Sequence, residues 1–236
     1  MKKQKIFFLL MAALVIQLSC RKDNRNFGTP TAFTIVHAWV GGNKLVADFF
    51  GVPMNYYSTA PQISYGGSME YSPAAGTGPL AISQITDTSH AVYNNTLSLA
   101  PGAAYTLFLT GKSATPDTLL TRDTIPYHPA TDSVVGIRFV NLSPGSSPVS
   151  INIQNGAHGS EVPALAYKAI TSFKPYPATS TVTKYVFEIR DAASGNLLYT
   201  YTYSGLARFR NVTVAVKGLA GGTGTSALGT ILVNDF

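Results

Sequence analysis

A chain that repeats itself must fold in a way that one unit can adopt twice, and from Phe33 onwards this sequence repeats at a nearly constant interval. Thr34-Ile35-Val36-His37-Ala38 returns as Arg138-Phe139-Val140-Asn141-Leu142. Leu45-Val46-Ala47-Asp48-Phe49 returns at the same spacing as Val149-Ser150-Ile151-Asn152-Ile153. Ile63-Ser64-Tyr65 then matches Leu165-Ala166-Tyr167, and Tyr71-Ser72-Pro73 matches Phe173-Lys174-Pro175. Late in each unit, Leu99-Ala100, Tyr105 to Leu109 and Gly111 parallel Leu206-Ala207, Val212 to Val216 and Gly218. Two unrelated β units would share alternation, but not Gly, Pro and Tyr landmarks in one order.

The repeated segments alternate apolar with polar or small residues, as a half-buried strand does. Gly41-Gly42-Asn43 and Ser143-Pro144-Gly145 mark turns, and Asp191 to Asn196 marks a hairpin between strands at Thr181 to Arg190 and Leu197 to Tyr203. Gly218 to Gly229 reads as a loop before a last strand, Thr230 to Val233. With 13 Tyr, 12 Phe and only 12% charged residues, the composition favours strands over helices. The expected fold is all-β: two tandem immunoglobulin-like or transthyretin-like β-sandwiches, 32–130 and 131–236, each of about seven short strands. The linker falls at Pro129 to Ser133.

The amino-terminal end has a different character. Lys2, Lys3 and Lys5 precede an unbroken apolar run from Ile6 to Ile16, then Gln17-Leu18-Ser19 and Cys20, the order of an export signal. The run is too short to cross a bilayer as a helix, which takes roughly 20 residues. Cys20 is the single cysteine of the chain, and exported proteins ordinarily use cysteines in pairs. Leu18-Ser19-Cys20 resembles the lipobox of bacterial lipoproteins, with Gln17 departing from its usual aliphatic residue. The expectation is a lipoprotein signal peptide over 1–19, lipidation of Cys20 with palmitate-type acyl chains, and a flexible tether over 20–31. The protein would then sit in the cell envelope, anchored in the outer membrane. Three of the 17 Lys+Arg lie in the leader, so the +6 of the whole chain falls to about +3 without it. No clustered basic face remains for nucleic acid.

The same landmarks resemble a bacterial family, the domain of unknown function numbered 4397. Its elements stand here as Val36-His37-Ala38, Ala47-Asp48-Phe49-Phe50-Gly51, Tyr65-Gly66, and Leu99-Ala100-Pro101-Gly102 before Tyr105-Thr106. The second unit offers Phe139-Val140-Asn141-Leu142-Ser143-Pro144 and Tyr167-Lys168, but has Arg208-Phe209 where the first has Pro101-Gly102. The resemblance implies a β-sandwich lipoprotein of the Gram-negative envelope and carries over no catalytic residue.

Titratable groups are sparse: His37, His90, His128, His158 and 11 Asp+Glu, none in a catalytic or zinc-binding motif. No enzyme, cofactor or metal is expected, although loop carboxylates Asp87, Asp117 and Asp123 are the nearest thing to a calcium set. His37 and Asp48 stand where the second unit has Asn141 and Asn152, which points to local hydrogen bonding at a strand end rather than an acid–base pair. Trp39 and the pair Tyr56-Tyr57 fall in or beside loops of the first unit, where rings stack on sugars or anchor a protein; the alternative is that Trp39 plugs its own sandwich. Tyr199, Tyr201 and Tyr203 share one strand face and suit packing. The expected role is a non-enzymatic scaffold or interaction module that binds an envelope protein or a glycan through loops. Two other roles remain: a fimbrial-type fibre subunit that donates its terminal strand, or a hydrolase with its site between the units.

Overall fold

A computed structural model describes residues 29–52, 60–113 and 115–235. The first unit holds β1 (Ala32–His37), β2 (Leu45–Phe49), β3 (Ser68–Tyr71), β4 (Gly76–Gln84), β5 (Asp87–Leu99), β6 (Ala104–Lys112) and β7 (Thr115–Asp123). The second holds β8 (Val134–Asn141), β9 (Val149–Ile153), β10 (Val162–Leu165), β11 (Lys174–Pro177), β12 (Lys184–Asp191), β13 (Leu197–Ser204), β14 (Asn211–Lys217) and β15 (Gly229–Asp235). Only one 3-10 turn, Gly224–Ser226, interrupts the strands of the described residues.

Each unit is a sandwich of two sheets, and the two have one topology. Sheet β3-β1-β6-β7 faces β2-β4-β5, and sheet β11-β8-β14-β15 faces β10-β9-β12-β13. The repeat holds at the level of register. β1 runs parallel to β6 with Phe33 beside Tyr105, and β8 runs parallel to β14 with Ile137 beside Val212. Ile63 bridges Leu45 where Leu165 pairs with Val149. The terminal β15 pairs with β14 along its whole length, from Asn211 with Asp235 to Lys217 with Gly229, so the segment imagined as a donor strand completes its own sandwich.

Alternation fills both cores. Phe33, Ile35, Leu45, Ile82, Leu107 and Leu109 pack inside the first sandwich, and Ile137, Phe139, Ile151, Phe187, Val212 and Val214 inside the second. Tyr199, Tyr201 and Tyr203 pack with the second core. The other faces of β1, β6, β8 and β14 are also buried, which a half-buried strand pattern does not anticipate. Val36, Ala38 and Phe108 meet Val140, Leu142, Ala215, Ile231 and Val233 in a third apolar cluster, so the sandwiches stack back to back in four layers.

Polar groups close both ends of this seam. At one end Arg138 donates to Asp123 at 2.7 Å and Asp235 at 3.1 Å, with Nε on Thr213, and its guanidinium lies 4.5 Å over the Phe173 ring. At the other end, reciprocal contacts use the two tyrosines of the repeated motif. Lys217 sits 4.6 Å over the ring of Tyr65, while the Tyr167 hydroxyl and Lys168 donate to Asp117 at 3.2 and 2.8 Å. Thr110 donates to the Leu142 carbonyl at 2.6 Å at this same end.

The backbone follows the repeat even where the residues diverge. Gly66, at φ +81, has Lys168 as its counterpart at φ +63, and each N–H donates to the matching strand carbonyl, His37 at 2.8 Å and Asn141 at 2.7 Å. Gly102, at φ +68, has Phe209 at φ +64. The corner after β5 is tied by the N–H of Ala100 donating to the Tyr105 hydroxyl at 3.0 Å, a tyrosine corner. Val212 replaces that tyrosine in the second unit, and the N–H of the equivalent Ala207 donates instead to Tyr203, from the other side of the corner, at 2.9 Å.

Phe108 is the largest apolar group of the seam and is fully buried. Phe108→Ala is expected to cost about 3–5 kcal/mol and to lower one shared unfolding transition in calorimetry; two separate transitions would mean that the sandwiches melt independently. Burial, partly offset by Arg138 and Thr213, pushes the Asp235 carboxyl up to about 6 from its ordinary 3.8. Its folded state thus holds a proton that the unfolded chain has released, so this group's contribution to stability is present at low pH and is lost as pH rises through that window. Carbon-detected NMR should show the Asp235 carboxyl titrating near 6.

Candidate functional site

Trp39 does not present its ring. It is 4% exposed, packs into the first core, and donates its indole N–H to the Ser113 carbonyl at 2.9 Å, so the plug alternative describes it and the loop-stacking expectation does not. Tyr56 and Tyr57, like Cys20, lie outside the described residues. His37 and Asp48 are not brought together. The His37 ring is buried toward the first core and bonds the Asn43 carbonyl at 2.8 Å, with burial lowering its pKa, while Asp48 lies on the outward face of β2. Asn141 accepts from the Ser143 N–H at 3.0 Å, a local bond, and also donates to the Leu165 carbonyl at 3.0 Å, 24 residues away. His90, Asp87 and Ser89 bond one another on an exposed hairpin, with no wall around them.

The most site-like feature among the described residues is on the outer face of sheet β10-β9-β12-β13. Strand register builds its floor: Ser150 lies opposite Arg190, and Asn152 opposite Glu188. Two loops raise the walls, one after β9 carrying Gly156 and His158, the other the β12–β13 hairpin carrying Gly195. Together they enclose about 300 Å³.

The floor is held in place by charge-assisted bonds. Glu188 Oε2 accepts from Asn152 Nδ2 at 2.9 Å and from Arg190 Nη2 at 2.9 Å, and Arg190 Nη1 donates to the Gly195 carbonyl at 2.8 Å. The bonds from Asn152 and then Arg190 hold the Glu188 carboxyl below its ordinary value, so it is ionised at neutral pH. The exposed imidazole of His158 lies over Ser150, with Nε2 and Oγ 2.7 Å apart. A nucleophile–base reading fails on access, since Ser150 is fully buried, and no carboxylate bonds the His158 ring among the described residues; Asp191 Oδ1 takes the Ser194 N–H and hydroxyl.

Asn152, which lines the pocket, is 1% exposed, and its Oδ1 is one of six buried side-chain atoms without a hydrogen-bond partner among the described residues. A buried acceptor left open costs about 1–3 kcal/mol unless something donates to it. The first unit lacks the site, with Val46, Asp48, Ala81 and Ser83 at the corresponding positions in the paired strands. No local motif announced the pocket, because its walls come from positions some 40 residues apart.

No curated protein matches the chain. Among solved structures, the chain is similar to a streptococcal virulence-factor module of carbohydrate-binding family 41, reported for alpha-glucan recognition, at 13% identity and a TM-score of 0.25 over 78% of this chain and 93% of that one. It is also similar to a family 26 carbohydrate-binding module of Eubacterium rectale Amy13K, solved with maltoheptaose, at 10% identity and a TM-score of 0.28 over 88% of this chain and 97% of that one. A family model matches residues 34–152, from β1 through almost all of β9, and the chain belongs to the family described as Domain of unknown function (DUF4397).

Proposed function

We propose that this protein is a lipid-anchored, non-enzymatic module of the bacterial envelope whose second sandwich binds a glycan in the pocket beside His158. The observation that carries this reading is the polar floor of the pocket, where the ionised Glu188 and Arg190 lie side by side under His158. A sugar hydroxyl donates and accepts at once, so it can donate to the Glu188 carboxylate while accepting from the guanidinium edge or the imidazole. A volume of about 300 Å³ lies at the small end of ligand sites and suits a terminal sugar unit. The buried Ser150 favours binding over turnover.

The anchor rests on the leader and on Cys20. The chain enters the first sandwich at Pro30 beside Gly102, so a tether from Cys20 attaches there.

A glycan array probed with the purified mature protein tests the reading, with isothermal titration of any sugar retained. Arg190→Ala and Asn152→Ala should each weaken binding about tenfold or more, the loss of one charge-assisted or buried bond, with melting curves checking that both variants fold. A folded protein that retains no glycan, or whose binding ignores both substitutions, sinks the proposal.

A further inference from the structure

The pole where the chain enters the sandwiches carries features that neither packing nor the pocket explains. Gly102 donates its N–H to the Pro30 carbonyl there, and the link between the sandwiches crosses the same pole from Thr124 to Ser133. Both aromatic side chains classed as exposed among the described residues, Tyr127 at 87% and Phe209 at 37%, lie on it.

Each is held outward by its neighbours. The Pro126 carbonyl accepts from Asn211 Nδ2 at 2.9 Å, and His128 Nε2 lies 2.9 Å from Asn211 Oδ1, so the residues on either side of Tyr127 are fastened to β14 and the ring is presented to solvent. Phe209 sits at φ +64, where the first unit has Gly102, with its N–H on the Val134 carbonyl at 2.7 Å. Left-handed backbone is strained for a bulky residue, and such strain is retained where the side chain has a use. Exposed Arg208 and Arg210 flank Phe209, with the Arg208 guanidinium 5.9 Å over its ring, and exposed Arg122 adds a third cation. Asp123 and Asp235 at this pole are buried on Arg138 and do not offset these charges at the surface, and exposed Asp132 on the link leaves the three arginines in excess.

We infer that this pole is a membrane-contact surface that takes anionic lipid headgroups, with Tyr127 and Phe209 at the interface and Arg122, Arg208 and Arg210 against phosphate. Aromatic rings with arginines beside them suit the headgroup level of a bilayer. The occupant is set by the length of chain that precedes the fold. Eight residues, Arg21 to Gly28, separate Cys20 from Thr29, a reach of at most about 30 Å. The inference thus deepens the proposed anchor, since a lipid on Cys20 keeps this pole within reach of the surface.

The mature chain carrying Cys20→Ser, which has no lipid, should co-sediment with vesicles of phosphatidylcholine containing 30 mol % (~a third) phosphatidylglycerol, and far less with phosphatidylcholine alone. The double variant Arg208→Glu, Arg210→Glu should weaken that binding at least about tenfold, each cation near an anionic surface being worth roughly fivefold. Tyr127→Ala, which removes no buried contact, should weaken it further. Equal binding to both vesicles, or no effect of these substitutions, overturns the inference, as does a protein ligand on this face that vesicles do not displace. Mass spectrometry of the native amino terminus tests the anchor separately: an acylated Cys20 with a pole indifferent to anionic lipid leaves the anchor standing and removes the contact surface.

Discussion

Burial of β1, β6, β8 and β14 on both faces is the constraint from which the rest of the architecture follows. Such a strand can carry no side chain that needs water. These four are therefore mostly Val, Ile, Leu, Phe, small residues and threonines, and buried polar groups such as His37, Asn141, Arg138 and Asn211 enter where a hydrogen-bond partner meets them. Arg138 is tolerated because Asp123 and Asp235 flank it from the two halves, and Thr213 and Phe173 take its remaining faces. Two acids and one cation leave the group short of positive charge, which is why burial wins at Asp235. The seam is apolar in its middle and ionic at both ends, so both sandwiches are fixed in register as well as in contact.

The duplication was legible because pairing register demands it. The tyrosines at 65 and 167, read as landmarks of a repeat, are the residues that reach across to the other half. The second unit has Arg208-Phe209 in place of Pro101-Gly102, yet Phe209 keeps the left-handed backbone of Gly102. Alternation could not reveal the four-layer stack. Thr106 and Thr110 occupy the positions where a surface strand has polar residues, and both are buried in the seam or at its rim.

Side-chain direction was the other limit. Trp39 was placed correctly between two strands, but a loop position does not say whether a ring faces out, and here the indole N–H finds a carbonyl inside. The pocket on the second outer sheet escaped for the opposite reason. Ser150 and Asn152 fall where a strand shows polar residues to solvent, and only the cross-strand partners Arg190 and Glu188, with His158 folding over, turn that surface into an enclosure. The duplicated scaffold thus holds two outer sheets with different surfaces, an ordinary route by which a repeat acquires one specialised copy.

The stacked arrangement also sets an order of events for the growing chain. The amino-terminal half can complete its own sandwich once β6 and β7 have emerged, because β1 needs β6 beside it. Until β8 and β14 arrive, Val36, Ala38 and Phe108 stay uncovered as a sticky apolar plate. A polypeptide released at that stage has the correct fold and an adhesive back, so completion of the second half does the work of a chaperone for the first.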